Sequence, residues 1–85
     1  MKKFDLEIAS PHGKLFEGDA EKLFVPTTAG PICIMAGHID FFAKLVSGKV
    51  RLFSGGVEKA AVCDGGVLSV LGGRVSMAAM GFEWE

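Results

Sequence analysis

At 85 residues and a formal net charge of −1, the chain is one domain's worth of sequence without the basic footprint that a phosphate backbone requires. Apolar residues make up 49% of it, enough for a core and too many for disorder. No run approaches the roughly 20 apolar residues of a membrane-spanning helix, and Met1-Lys2-Lys3 leads into an alternating segment instead of a signal-peptide apolar stretch.

The dominant period is two. Phe4, Leu6 and Ile8 alternate with Asp5 and Glu7, the pattern of a strand with one wet face. Ser10-Pro11-His12-Gly13 breaks that strand, and Glu17-Gly18-Asp19 breaks a short second one. Leu23-Phe24-Val25 ends at Pro26, and Ala29-Gly30-Pro31 makes a further loop. Ile32 to Met35 reads as a strand that stops at Ala36-Gly37-His38. Ile39 to Leu45 is short enough to turn briefly helical or to start a strand. If it is a strand, the adjacent Phe41 and Phe42 point to opposite faces, one inward and one out.

The second half is more regular. Lys49–Phe53 and Val57–Cys63 flank Ser54-Gly55-Gly56, a hairpin signal made of residues that tolerate positive φ. Asp64-Gly65-Gly66 predicts a break before Val67–Leu71, and Gly72-Gly73 turns the chain into Arg74–Ala78. These segments predict a single all-β domain over residues 1–85: a flattened antiparallel β-sandwich or barrel of about ten short strands.

Catalytic signatures are absent from the sequence. Neither Gly13-Lys14-Leu15 nor Gly48-Lys49-Val50 satisfies the Gly-Lys-Ser/Thr of a phosphate-binding loop, so the 12 glycines read as turn residues. Cys33 and Cys63 lack the spacing and companion ligands of a zinc site and read as small buried hydrophobes. Cys63 with a histidine and Asp64 is a nucleophile only if the fold gathers them. His38, after Gly37, reads as a turn histidine bonded to backbone or as an interface residue. Trp84, between Glu83 and Glu85, reads as a lid on the core or as a contact.

A series of short motifs resembles the N-terminal domain of the epsilon subunit of F-type ATP synthase. The stretch from Phe4 to Gly18 is similar to that family's opening strand, its Pro-x-Gly turn and its Phe-x-Gly hairpin. Ala20 to Pro26 resembles its next strand, Gly37-His38 its Pro-Gly-His motif, and Gly48-Lys49-Val50-Arg51 its Gly-x-Val-Arg strand. Val62 to Val70 and Arg74 to Ala79 resemble its closing strands, so the match runs in order from about Phe4 to Ala79.

The resemblance implies a flattened sandwich with no active site and no cofactor, metal or small-molecule ligand of its own. It implies a central-stalk role: binding the gamma subunit and the c-ring and coupling proton-driven rotation to ATP synthesis. By position it puts Ser10, His38, Phe42 and Ala43 toward gamma, and Ala29, Gly30 and Pro31 toward the c-ring. It implies a peripheral location on the cytoplasmic face of a bacterial inner membrane, touching the membrane only through the ring. The chain departs from the family at Pro31, where an acid is usual, at Ala36, and at Cys63-Asp64. It also stops at Glu85, before the family's two-helix regulatory domain, so ATP binding and inhibition by helix insertion are not expected. The alternative from a different class is a free-standing small β-barrel that binds a ligand.

Overall fold

Alternation builds the first element as expected. In β1 (Phe4–Ser10) the side chains of Phe4, Leu6 and Ile8 are buried and Asp5 is exposed. The computed structural model describes residues 2–85, and the remaining strands are β2 (Gly13–Ala20), β3 (Lys22–Thr27), β4 (Gly30–Met35), β5 (Phe41–Ser54), β6 (Val57–Leu71), β7 (Arg74–Ala79) and β8 (Glu83–Trp84). Among the described residues there is no helix, so Ile39–Leu45 is not helical: Phe41 onward is strand.

The strands form one sheet in the order β2-β1-β7-β6-β5-β3-β4, with β8 added alongside β6. It folds back on itself through its two longest strands. The first part of β5 (from Phe41) and the last part of β6 (to Leu71) belong with β7, β1 and β2. The last part of β5 and the first part of β6 belong with β3, β4 and β8. The two inner faces meet in a single core that includes Leu6, Ile8, Leu23, Ile34, Leu52, Leu68 and Met77. Each such burial is favourable by about 1.5–3 kcal/mol before entropy is counted. The all-β sandwich reading stands.

Five details differ from the sequence reading. Glu17-Gly18-Asp19 does not break a strand: all three lie within β2 and pair with Glu7, Leu6 and Asp5 of β1. There are eight strands among the described residues rather than about ten, because β5 and β6 run 14 and 15 residues. Asp64-Gly65-Gly66 is therefore not a turn. It lies inside β6, with Leu45↔Gly66 and Ser47↔Asp64 continuing the β5 ladder across it. Gly65 and Gly66 have φ of 127° and 137°, which lets the strand bend where the two layers part. One pairing, β1 with β7, is parallel. Pro26 does not end its strand: it faces Pro31 across β3–β4, and the β3–β5 ladder shifts register between Phe24 and Thr27.

The glycine pairs at the real turns behave as read. Gly55-Gly56 (φ 60° and 77°) joins β5 to β6, and Gly72-Gly73 (φ 57° and 80°) joins β6 to β7.

Candidate functional site

Period two decides which residues the sheet offers outward. On the outer face of β5, β6, β7 and β1, register places Phe42 beside Ser69, Ser69 beside Ser76, and Ser76 beside Glu7. The adjoining row runs Lys44, Val67, Ala78, Ala9. A solvated face of this kind ordinarily carries charged side chains; here its middle is alanine, serine and valine. The result is a shallow apolar trough, walled by Phe42 at one side and by Pro11 and Met80 at the other. It comprises two adjoining open hollows of about 260 Å³ and 370 Å³ that share Ala9, Val67 and Ala78.

Phe42 is 76% exposed, while Phe41 packs against the core, as adjacency in a strand requires. Val67 and Met80 are also exposed. Contiguous exposed apolar surface of this sort marks an interaction site more often than it marks idle surface. The far rim is charged: Glu7 takes Lys14 at 3.4 Å and Arg74 at 3.7 Å, and Lys14 also reaches Glu17 at 3.2 Å. The Lys14 ammonium is held charged to higher pH than usual, first by its hydrogen bond to Glu17 and then by Glu7.

The four residues aligned with a gamma contact are not all in this trough. Phe42 forms its wall and Ser10 its edge. Ser10 spends its hydroxyl on its own turn, accepting from the His12 N–H at 3.1 Å and lying 3.4 Å from the Gly13 carbonyl. Ala43 is half-buried on the opposite side of β5 from Phe42, opposite Leu68. His38 is a turn histidine: its Nδ1 lies 2.8 Å from the Ile39 carbonyl, and its ring meets Phe41 edge-on at 5.6 Å. A carbonyl only accepts, so Nδ1 is the donor.

Ala29, Gly30 and Pro31 lie at the tip of the β3–β4 hairpin, with Ala29 and Pro31 exposed. Thr27 holds this tip. Its hydroxyl donates to the Gly30 carbonyl at 2.6 Å and accepts from the Ala29 N–H at 3.1 Å, although the residue is only 4% exposed. Thr28 donates its N–H to the Lys44 carbonyl at 2.9 Å, so the tip is bonded to β5 at the residue beside Val67. Tip and trough are parts of one bonded framework.

The remaining candidates fall elsewhere. Both cysteines are free; Cys63 is buried and its thiol lies 3.8 Å from the Val46 carbonyl, while Cys33 is half-buried. No group of three or more potential metal ligands is gathered among the described residues. Trp84 stacks edge-on against Phe82 at 4.9 Å, with the Lys59 ammonium 5.5 Å from its ring. Sequence reasoning missed Ala9, Val67, Ser69, Ser76 and Ala78. Their signal was small residues at outward positions of consecutive strands, which only the strand order assembles into a surface.

A model of the beta-sandwich domain of the ATP synthase delta/epsilon chain matches residues 3–85. The chain belongs to that family. Similar relatives include the ATP synthase epsilon chains of Endomicrobium trichonymphae (34% identical over 79 residues, 93% of this chain and 57% of that one) and Clostridium novyi (37% over 84 residues, 98% and 64%). The epsilon chain of Ruminococcus albus is 34% identical over 86 residues, covering 100% of this chain and 64% of its own. This chain therefore spans less than two thirds of the length of those epsilon chains.

Two solved structures have the same fold as this delta/epsilon-family domain. One is a chain in the cryo-EM structure of the Euglena gracilis mitochondrial ATP synthase, OSCP/F1/c-ring in rotational state 1, with TM-score 0.88 and 20% identity, covering 96% of this chain and 53% of that one. The other is in the central stalk/c-ring structure of the Tetrahymena thermophila mitochondrial ATP synthase, with TM-score 0.83 and 13% identity, covering 96% and 66%.

Proposed function

We propose that this domain is a non-catalytic rotor component of an F-type ATP synthase, held by the gamma subunit at the trough and by the c-ring at the β3–β4 tip. Its work is mechanical: transmitting rotation driven by protons at the ring to gamma, and so to ATP synthesis elsewhere in the complex. The observation that carries the reading is the outward trough of small residues beside exposed Phe42, a surface that costs solubility and makes sense when covered. Membership of the delta/epsilon family supports the reading, since relatives bear the name ATP synthase epsilon chain. The location that follows is peripheral, at the cytoplasmic face of a bacterial inner membrane.

Of the aligned contact residues, Phe42 and Ser10 border the covered surface. His38 and Ala43 support it from behind, through Phe41 and Leu68. The test is association of the purified chain with gamma. A one-to-one complex is expected, and Val67→Lys and Ala78→Glu, which put charge on the trough floor, should each abolish it. Undiminished complex formation by both variants would remove the trough from the interface.

A further inference from the structure

The ring-facing tip has an unusual poverty of functional groups. Ala29, Gly30 and Pro31 offer a methyl group, a hydrogen and a pyrrolidine ring, with no charge and no side-chain donor or acceptor. Apart from the exposed Thr28 hydroxyl beside them, a partner reading these residues reads the path of the backbone, so whatever fixes that path sets recognition.

We infer that Thr27 is the positioning residue of the tip, its buried hydroxyl clamping the Ala29 N–H and the Gly30 carbonyl into the shape that the partner recognises. This rests on the proposal that the tip meets the c-ring. Among the described residues Thr27 is the one buried polar residue, and its hydroxyl bonds to the tip both as donor to Gly30 and as acceptor from Ala29. The next residue, Thr28, is pinned to Lys44, so motion left to the tip is motion that Thr27 restrains. Gly30 has φ of 106°, a conformation that the clamp holds in place. No charge at the tip compensates for a wrong shape, so loosening the clamp lowers affinity directly by adding ordering cost on binding.

Two substitutions separate the hydroxyl from the packing. Thr27→Val keeps the volume and deletes both hydrogen bonds; Thr27→Ser keeps both bonds and deletes a buried methyl group. In the full chain bound to gamma, affinity for the detergent-solubilised c-ring is titrated, alongside amide exchange at Ala29 and the melting temperature. Thr27→Val is expected to exchange faster at Ala29 and to bind the ring about tenfold more weakly, as two lost neutral bonds imply, with gamma affinity unchanged. Thr27→Ser is expected to melt lower and to keep the ring affinity.

Unchanged ring affinity in Thr27→Val with faster exchange at Ala29 would overturn the inference. If Thr27→Val does not fold, Thr27→Ser decides: weakened ring binding there means that packing, not the hydroxyl, sets the tip. Absence of ring binding in the unsubstituted chain would instead overturn the assignment of the tip, and the inference with it.

Discussion

Gly66 of β6 stands so close to the carbonyl oxygen of Ala78 on β7 that a Cβ at position 66 would overlap it. Gly66 also has φ of 137°, a backbone conformation that L side chains rarely adopt. This is where the long strand bends between the two layers, and the bend brings Val67 and Ala78 side by side on the trough floor. Gly66→Ala therefore carries both strain and a clash with backbone that cannot rotate away. The expected loss is about 3 kcal/mol or more, out of a total near 4–13 kcal/mol for a domain of this length. Neighbouring Gly65→Ala, whose Cβ would meet the Leu45 carbonyl at an ordinary 3.5 Å, is expected to lose less. Urea denaturation of the two variants checks the order, and equal midpoints would refute it.

Phe42 is the trough's most exposed large side chain, so its truncation separates binding from folding. Phe42→Ser removes little buried area, and its effect on stability is expected to stay within about 0.5 kcal/mol. Binding to gamma is expected to weaken by about 1–3 kcal/mol, the range of a buried aromatic anchor at an interface. The inward neighbour behaves oppositely: Phe41→Ser is expected to lower the melting temperature, because Phe41 packs on the core and braces His38. Calorimetric titration with gamma and thermal melts together distinguish the two.

Much of the architecture was legible because it is written locally. Phe4, Leu6 and Ile8 state their face by alternation, and Gly55-Gly56 and Gly72-Gly73 announce turns that the structure contains. Period two also separates Phe42 from Ala43, so the inward position of Ala43 follows once the segment is a strand with Phe42 outward. Asp64-Gly65-Gly66 was misleading because a bend inside a strand and a turn between strands call for the same residues. Only β5, pairing on both sides of the glycines, distinguishes them. The trough was hidden for a related reason. Ala9, Ser69, Ser76 and Ala78 are individually bland, and they become a surface when β1 joins β7 in parallel, a pairing between segments more than 60 positions apart.

Arg51 reaches diagonally across the β5–β6 hairpin to Glu58, with the guanidinium Nε 2.6 Å from the carboxylate. That hydrogen bond is the first cause holding the Glu58 carboxyl below its ordinary value, helped by charge from Arg51 and Lys49. A depressed carboxyl contributes stability that is present above its unfolded-state value, near 4.5, and is lost as pH falls through its lower folded value. Both side chains are solvated, so the effect is small and salt-sensitive. Titration of Glu58 followed by NMR should show a midpoint below that of an unpaired glutamate. In Arg51→Met the midpoint should rise, and high salt should narrow the gap between the two proteins. An identical midpoint in Arg51→Met would show that the pair does not form in solution.

Glu21 fastens the far end of the same hairpin. Its carboxylate accepts from the Gly55 N–H at 3.0 Å and the Gly56 N–H at 3.4 Å, while its own N–H donates to the Phe53 carbonyl at 2.8 Å. Beside it, the Ser54 hydroxyl donates to the Asp19 carbonyl at 2.6 Å. The β5–β6 tip is thus tied to the β2–β3 corner by contacts 34 and 35 residues apart in sequence. Hydrogen bonds to an ionised acceptor are the stronger kind, and Glu21→Ala is expected to destabilise the domain by about 1–3 kcal/mol. Glu21→Gln keeps one accepting oxygen and should lose less. In Glu21→Ala the amides of both Gly55 and Gly56 should exchange faster, since both lose their acceptor, whereas Glu21→Gln leaves an accepting oxygen for one of the two. Gamma binding should be unchanged, because the tie joins the turn after Ser54 to the corner before Lys22 and borders no residue of the trough. Slow exchange at Gly55 in Glu21→Ala would mean that backbone geometry alone sustains the turn.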